Sequence, residues 1–189
     1  MRWTQLFAEL EAQFEAQEEG AERAEEASRT RAELGRVRLV ERLAGAVTCP
    51  VVLTCRGAGD LRGRLDEVGV DWLLLTDDSG REVLVALAAV RAVGGLRSPT
   101  GPAPDDGPVR SRLDLRRALR GLARDRRGVQ LLLDDGSMFG GTLDRVGADH
   151  VELAEHPADL ARRRDAVREV RAVALDAVAA VRSVDPGVG

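Results

Sequence analysis

The sequence predicts an α+β protein: two tandem small five-stranded β-barrels, each preceded by a helix, with a long N-terminal helical arm. Three observations predict it. One stretch occurs twice, as Gly63-Arg-Leu65-Asp66-Glu-Val68-Gly69-Val-Asp71-Trp72-Leu-Leu-Leu75 and as Gly141-Thr-Leu143-Asp144-Arg-Val146-Gly147-Ala-Asp149-His150-Val-Glu-Leu153. The offset between the copies stays at 78, which marks an internal duplication. A Gly- and Pro-dense segment, Gly94 to Pro108, separates the copies and reads as a linker. Ahead of the first copy, Thr4 to about Leu43 carries helical spacing and strong helix formers.

Within the copied stretch, alternating apolar residues lead into a continuous apolar run, as in a bent strand followed by a more buried one. Gly69 to Asp71 and Gly147 to Asp149 supply turn chemistry. Gly63 and Gly141 fall inside the first strand, where a glycine marks a sharp bend or a close backbone approach. Bend, turn and short strands in this order curl a small sheet into a barrel. Leu65, Val68, Leu73, Leu75, Leu143, Val146, Val151 and Leu153 are the expected core.

Taken in order, residues 1–29 are the arm, 30–97 a helix and the first barrel, 98–110 the linker, and 111–185 a helix and the second barrel. Leu6, Leu10 and Phe14 form one apolar stripe on the arm, suited to a coiled coil or to packing on the chain's own barrel. Thr30-Arg-Ala-Glu33 and Ser111-Arg-Leu-Asp114 match capping boxes and predict helix starts. The first barrel is expected from Val47 to Val93 and includes one helical turn at Leu87 to Val90. Val129 to Leu133 opens the second. The tail Val85 to Val90 recurs as Val173 to Val178, ten positions further out than the hairpin offset, so an insertion lies between Glu155 and Val170. Residues 46–97 and 128–184 are therefore expected to superpose as barrels.

Composition bounds the function. The chain has 189 residues, 44% apolar but only 3% aromatic, so its core is aliphatic. Its basic residues are all Arg, the bias of a GC-rich genome, which weakens Arg clusters as a sign of phosphate binding. The net charge of −4 argues against a general nucleic-acid coat. No apolar stretch reaches the roughly 20 residues of a membrane span, and no signal peptide is visible, so the expected location is cytoplasmic. Cys49 and Cys55 lie six residues apart, roughly 20 Å along an extended strand, too far to bridge. They are expected as buried free thiols.

The run Leu133-Asp-Asp135-Gly136-Ser-Met-Phe-Gly140-Gly141-Thr-Leu143 resembles the first motif of Sm-like proteins: apolar strand, Asp-Gly turn, Gly, any residue, Leu. The order of helix then five strands is also similar. The resemblance implies two Sm-like modules, and other small SH3-like barrels such as the PRC-barrel type share much of it. RNA-binding Sm-like proteins hold bases with a polar residue, usually Asn, in one loop and an Arg/Lys-Gly pair in another. Asp71 and Asp149 stand near the first position, and Ala89 to Ala92 and Ala177 to Ala180 offer no such pair at the second. The whole chain is similar to uncharacterised proteins of GC-rich actinobacteria that begin with a Met-Arg-Trp helix, some labelled Fis-type transcriptional regulators. No helix-turn-helix pattern accompanies that likeness.

The candidate nucleic-acid contacts are Arg116, Arg117, Arg120, Arg124, Arg127, Arg162, Arg163 and Arg164. A solvated helix face paired with the acidic arm is the plainer reading, since no aromatic residue interleaves them. His150 and His156 lack a second ligand at metal spacing, and the repeated Asp66/Asp144 and Asp71/Asp149 read as turn residues. No catalytic constellation, metal set or phosphate loop stands out. The expectation is a non-enzymatic interaction or scaffold protein with no cofactor, no small-molecule substrate and no membrane partner. It would self-associate, as a dimer by preference, through Leu6, Leu10 and Phe14 and through barrel edges. An RNA- or DNA-binding regulator using the arginines is the alternative.

Overall fold

The computed structural model describes residues 3–96, 113–156 and 167–184. The chain divides into two compact units, Met1–Leu39 and Val40–Gly189. The first contains helix α1 (Trp3–Leu34). Arg23 pairs with Glu19 at 2.6 Å and Arg29 with Glu25 at 3.3 Å, exposed contacts one helical turn apart. Each supports a helix by only ~0.2–0.5 kcal/mol. The capping box predicted at Thr30 is not used. The Ala/Glu-rich helix runs straight through it, and the Thr30 hydroxyl donates back to the Glu26 carbonyl at 3.0 Å.

The short helix α2 (Leu39–Ala44) leads from the first unit into the second. Strands β1 (Pro50–Cys55), β2 (Gly59–Val68), β3 (Trp72–Thr76), β4 (Glu82–Ala86) and β5 (Val90–Gly94) follow, with a 3-10 turn at Leu87–Ala89 before β5. Helix α3 (Leu115–Asp125) begins the second half. Its cap is Asp114, whose carboxylate accepts from the Arg117 N–H; the cap predicted at Ser111 and the linker at 98–110 lie outside the described residues. Strands β6 (Gly128–Leu133), β7 (Met138–Val146), β8 (His150–Glu155), β9 (Glu169–Ala174) and β10 (Val178–Val184) complete it, with a second 3-10 turn at Leu175–Ala177.

The expectation of an arm and two closed five-stranded barrels is overturned. All ten described strands form one open antiparallel sheet in the order β5-β1-β2-β3-β4-β10-β6-β7-β8-β9. The cause is the pairing of β4 with β10, Val85 to Ala180, Leu84 to Val181 and Val83 to Arg182. Val83 to Ala86 in β4 and Val178 to Val181 in β10 are buried along their length, so the join is apolar. Among the described residues the edges, β5 and β9, each pair on one side only.

The duplication nevertheless sets the local geometry. Register slips between Leu65 and Glu67 in β2 and between Leu143 and Arg145 in β7, the same position in each copy. A Cβ at Gly63 would stand 2.3 Å from the Thr76 carbonyl oxygen, and one at Gly141 2.1 Å from that of Ala154. These glycines let the neighbouring backbone press in beside the bulge. Trp72 pairs with Ala86 across β3–β4 as His150 pairs with Ala174 across β8–β9.

Leu43, Leu53, Leu65, Leu73, Leu75, Val83 and Val85 form the core of the first half. Leu119, Val129, Leu131, Leu143, Val151 and Leu153 form that of the second. Of the eight expected core residues, Val146 alone is only half-buried, near the strand end. A third, small cluster of Ala86, Ala89 and Ala179 seals the join.

Candidate functional site

Three places deserve the chemistry: the exposed face of α3, the join between the halves, and the two free sheet edges. On α3, Leu119 is buried against the second core while Arg117, Arg120 and Arg124 are exposed. Their spacing of three and four puts them on one face. Arg116 is half-buried: it lies 3.8 Å from the Asp114 carboxylate and reaches the Ala148 carbonyl at 3.5 Å. Arg127 is exposed just beyond the helix. Arg162, Arg163 and Arg164 lie outside the described residues. Leu6, Leu10 and Phe14 lie on α1, and their side chains are likewise outside the description.

At the join, the β4–β10 pairing is reinforced by the turns and by α3. Arg56 in the β1–β2 turn meets Asp134 after β6 at 2.9 Å. Asp71, in the turn before β3, accepts the Leu115 N–H at 2.7 Å, and the Trp72 indole N–H donates to the Leu113 carbonyl at 2.7 Å. Asp71 thus holds one of the unpaired amides at the start of α3, where a carboxylate is favoured. Reading Asp71 as a turn residue alone missed this contact. A cavity of about 360 Å³ lies here, with Arg56, Asp71, Asp114, Arg116, Asp134 and Asp176 on its wall. Four carboxylates and two guanidiniums make it a mixed-charge cleft.

The second copy of the Asp71–Trp72 turn is Asp149–His150, and it is open. The Asp149 side chain is 90% exposed and that of His150 43%, against 6% for Trp72 as a residue. His150 Nδ1 lies 2.9 Å from Asp149 Oδ1. The hydrogen bond from the imidazole, with its charge, holds the Asp149 carboxyl below the ordinary carboxylate range. Both rings lie against a glycine: a Cβ at Gly69 would sit 2.3 Å from the Trp72 indole, and one at Gly147 2.5 Å from the His150 ring.

His156 is buried, with Nε2 2.8 Å from the Thr142 hydroxyl, a polar pair within the second half that the sequence did not suggest. Cys55 is buried and Cys49 half-buried, so the expectation of two buried thiols holds for one. Burial, then the nearby Asp60 carboxylate, pushes the Cys55 thiol up to about 11. Among the described residues no group of three His, Cys, Asp or Glu is placed to hold a metal ion, and no helix is long and apolar enough to cross a membrane.

No protein-family model matches the chain, and no curated protein matches it.

Proposed function

We propose that this protein is a non-enzymatic interaction protein that self-associates through its free sheet edges, with its N-terminal helix adding contacts. The observation that carries the reading is the β4–β10 seam. In the duplication, β9 is the second copy of β4 and β5 is the first copy of β10. The strand joined inside the chain at β4 therefore stands unpaired at β9, and its complement stands unpaired at β5. Joining β9 of one molecule to β5 of another repeats a contact the chain already makes. Such a heterologous contact builds a closed ring or an open fibre, and two copies make the smallest ring.

The register follows from the seam: Val173 opposite Ala92, Ala172 opposite Val93, and Arg171 opposite Gly94. Charge at the adjoining turns agrees, since Asp134 of one copy would approach Arg56 of the next. One feature loosens this outer seam. At the inner one, a Cβ on Gly57 would fall 2.0 Å from the Leu133 carbonyl oxygen, and Asp135 holds that place in the second copy. The outer turns stay further apart, which fits a reversible association.

Ala92 and Ala172 are exposed in the single chain, whereas their seam counterparts Ala180 and Leu84 are 0% and 6% exposed. Ala172→Glu or Ala92→Glu would leave folding unchanged and bury an unpaired carboxylate on association, at several kcal/mol. Sedimentation tests this: the wild-type chain associates and either variant is a monomer. Variants that associate as wild type defeat the edge reading. Removing residues 1–28 weakens association without abolishing it.

A second reading, a nucleic-acid regulator, is favoured by the single exposed face of Arg117, Arg120 and Arg124. Phosphate contacts there predict retention on nucleic acid that falls steeply with salt and is lost when all three become Gln. Retention unchanged in the triple variant removes this reading.

A further inference from the structure

We infer that Asp149 of one copy receives Arg91 of the next, and that this ion pair selects the partner and the register of the β9–β5 contact. This rests on the self-association reading above and names the side chains that would recognise the second copy.

Strands β5 and β10 carry the same irregularity. Arg91 falls between the Cys55–Val90 and Thr54–Ala92 pairs, and Ala179 between the Leu133–Val178 and Leu132–Ala180 pairs, so each is the extra residue of a bulge. The two positions are 88 apart, the offset that relates β4 to β9. A bulge re-aims its side chain. At the inner seam Ala179 is 0% exposed and packs on Ala86, at the end of β4, and on Ala89, in the 3-10 turn after it. The copies of Ala86 and Ala89 are Ala174 and Ala177, and Ala174 is exposed in the single chain. Arg91 is exposed as well. When β9 of one copy meets β5 of the next in the register of the inner seam, Arg91 comes to lie over Ala174 and Ala177.

The sizes along this row change together. Inside the chain the row runs Trp72, Ala86, Ala179, with the large side chain on β3 and the small one on β10. Between chains it would run His150, Ala174, Arg91, with the smaller ring on β8 and the long side chain on β5. Asp149 stands at the end of that row. The Leu175 N–H donates to the Asp149 carbonyl at 2.8 Å, as the Leu87 N–H donates to that of Asp71 at 2.9 Å, so the Asp149 turn flanks Ala174 to Ala177 as the Asp71 turn flanks Ala86 to Ala89. The partner's β5 and β8 are two strand spacings apart, about 10 Å, and only Ala174 lies between them on this face. The Arg91 methylenes then cover Ala174, and the guanidinium meets the Asp149 carboxylate. That carboxylate is available: Asp71 accepts the Leu115 N–H at 2.7 Å, whereas the Asp149 side chain is 90% exposed beside His150. Asp135 in place of Gly57 keeps the outer turns apart, and an arginine spans the wider gap where an alanine fills the inner one. Opposite charges across such a contact raise specificity for the correct partner.

The test is the association of full-length variants measured by sedimentation, with a thermal melt of each dilute protein as the folding control. Arg91→Glu and Asp149→Arg each weaken association at least about tenfold and melt as wild type, because both side chains are exposed in the single chain. Mixed one to one, the two variants associate as the wild type does: the unaltered Asp149 of the first meets the unaltered Arg91 of the second, and the two reversed charges meet each other. If a reversal lowers the melting temperature, Arg91→Gln and Asp149→Asn decide instead; both weaken association and leave it less sensitive to salt than the wild type, and unchanged association in both overturns the pair. If the wild type associates and Ala172→Glu abolishes it, yet the two reversals associate as wild type or their mixture fails to recover, the edges are right and this pair is wrong. A wild type that is monomeric at tens of micromolar overturns both.

Discussion

Adding one methyl group should have opposite effects at different glycines of this chain. At Gly63 and Gly141 the new Cβ would lie 2.3 and 2.1 Å from a carbonyl oxygen of the adjacent strand. Ordinary contact begins more than 1 Å further out, and the obstacle is backbone rather than a side chain that can swing away. Relief requires β2 to part from β3, or β7 from β8, beside the bulge that both copies share. Overpacking costs ~1–3 kcal/mol, and each strained ladder hydrogen bond adds about 1 kcal/mol. We expect Gly63→Ala and Gly141→Ala each to lose about 3 kcal/mol or more. At ~2–4 °C per kcal/mol for a chain of this length, that lowers Tm by roughly 6–12 °C. Gly121, on the exposed face of α3, has nothing within 4 Å of its added Cβ. There Ala gains about 0.5–1 kcal/mol from helix propensity and raises Tm by about 1–4 °C. Reversible urea unfolding, with thermal melts alongside, measures all three. If Gly63→Ala and Gly141→Ala both fall within about 0.5 kcal/mol of wild type, the close approach is not what those glycines serve.

Alkaline stability reads the Cys55 thiol, because the chain has neither Lys nor Tyr to compete with it. Cys55 is raised in the folded state to about 11, so its stabilisation is complete below the unfolded thiol value and is lost as pH rises from about 9 to 11. We expect a loss of at most about 2–3 kcal/mol over that window, removed by Cys55→Ala; an identical pH profile for the variant would assign the loss elsewhere. Leu65 and Leu143 are 0% and 1% exposed. Replacing either with Ala should cost ~2–5 kcal/mol by chemical denaturation, and a loss below about 0.5 kcal/mol at both would mean that neither fills its core.

The hairpins were legible because their signals are local. Alternation, turn residues and a glycine inside a strand place Leu65, Leu73, Leu143 and Leu153 in the interior without knowledge of the rest. The join was not legible. Glu82 to Val85 reads as a strand and residues 128–184 as a second barrel, but nothing in either segment says which strand lies beside it. Their pairing spans about a hundred residues of sequence, and closing each half on itself was the simpler solution. Thr30 misled because a capping pattern inside an Ala/Glu-rich run competes with a helix that has no reason to stop. Asp71 misled differently: its repetition as Asp149 pointed to turn chemistry, while its second role depends on where α3 begins. The useful signal was the difference within the repeat, Trp72 against His150, a buried indole in one copy and a half-exposed imidazole in the other.

The central claim is that the unpaired edges β9 and β5 complete each other between molecules as β4 and β10 do within one. The most direct measurement is the molar mass of the full-length chain by light scattering, from about one to tens of micromolar, beside Ala172→Glu. The account predicts a mass that rises with concentration to at least twice the 20.3 kDa of one chain, and a variant that stays at the monomer mass throughout. A wild-type chain that remains at the monomer mass at tens of micromolar would contradict it.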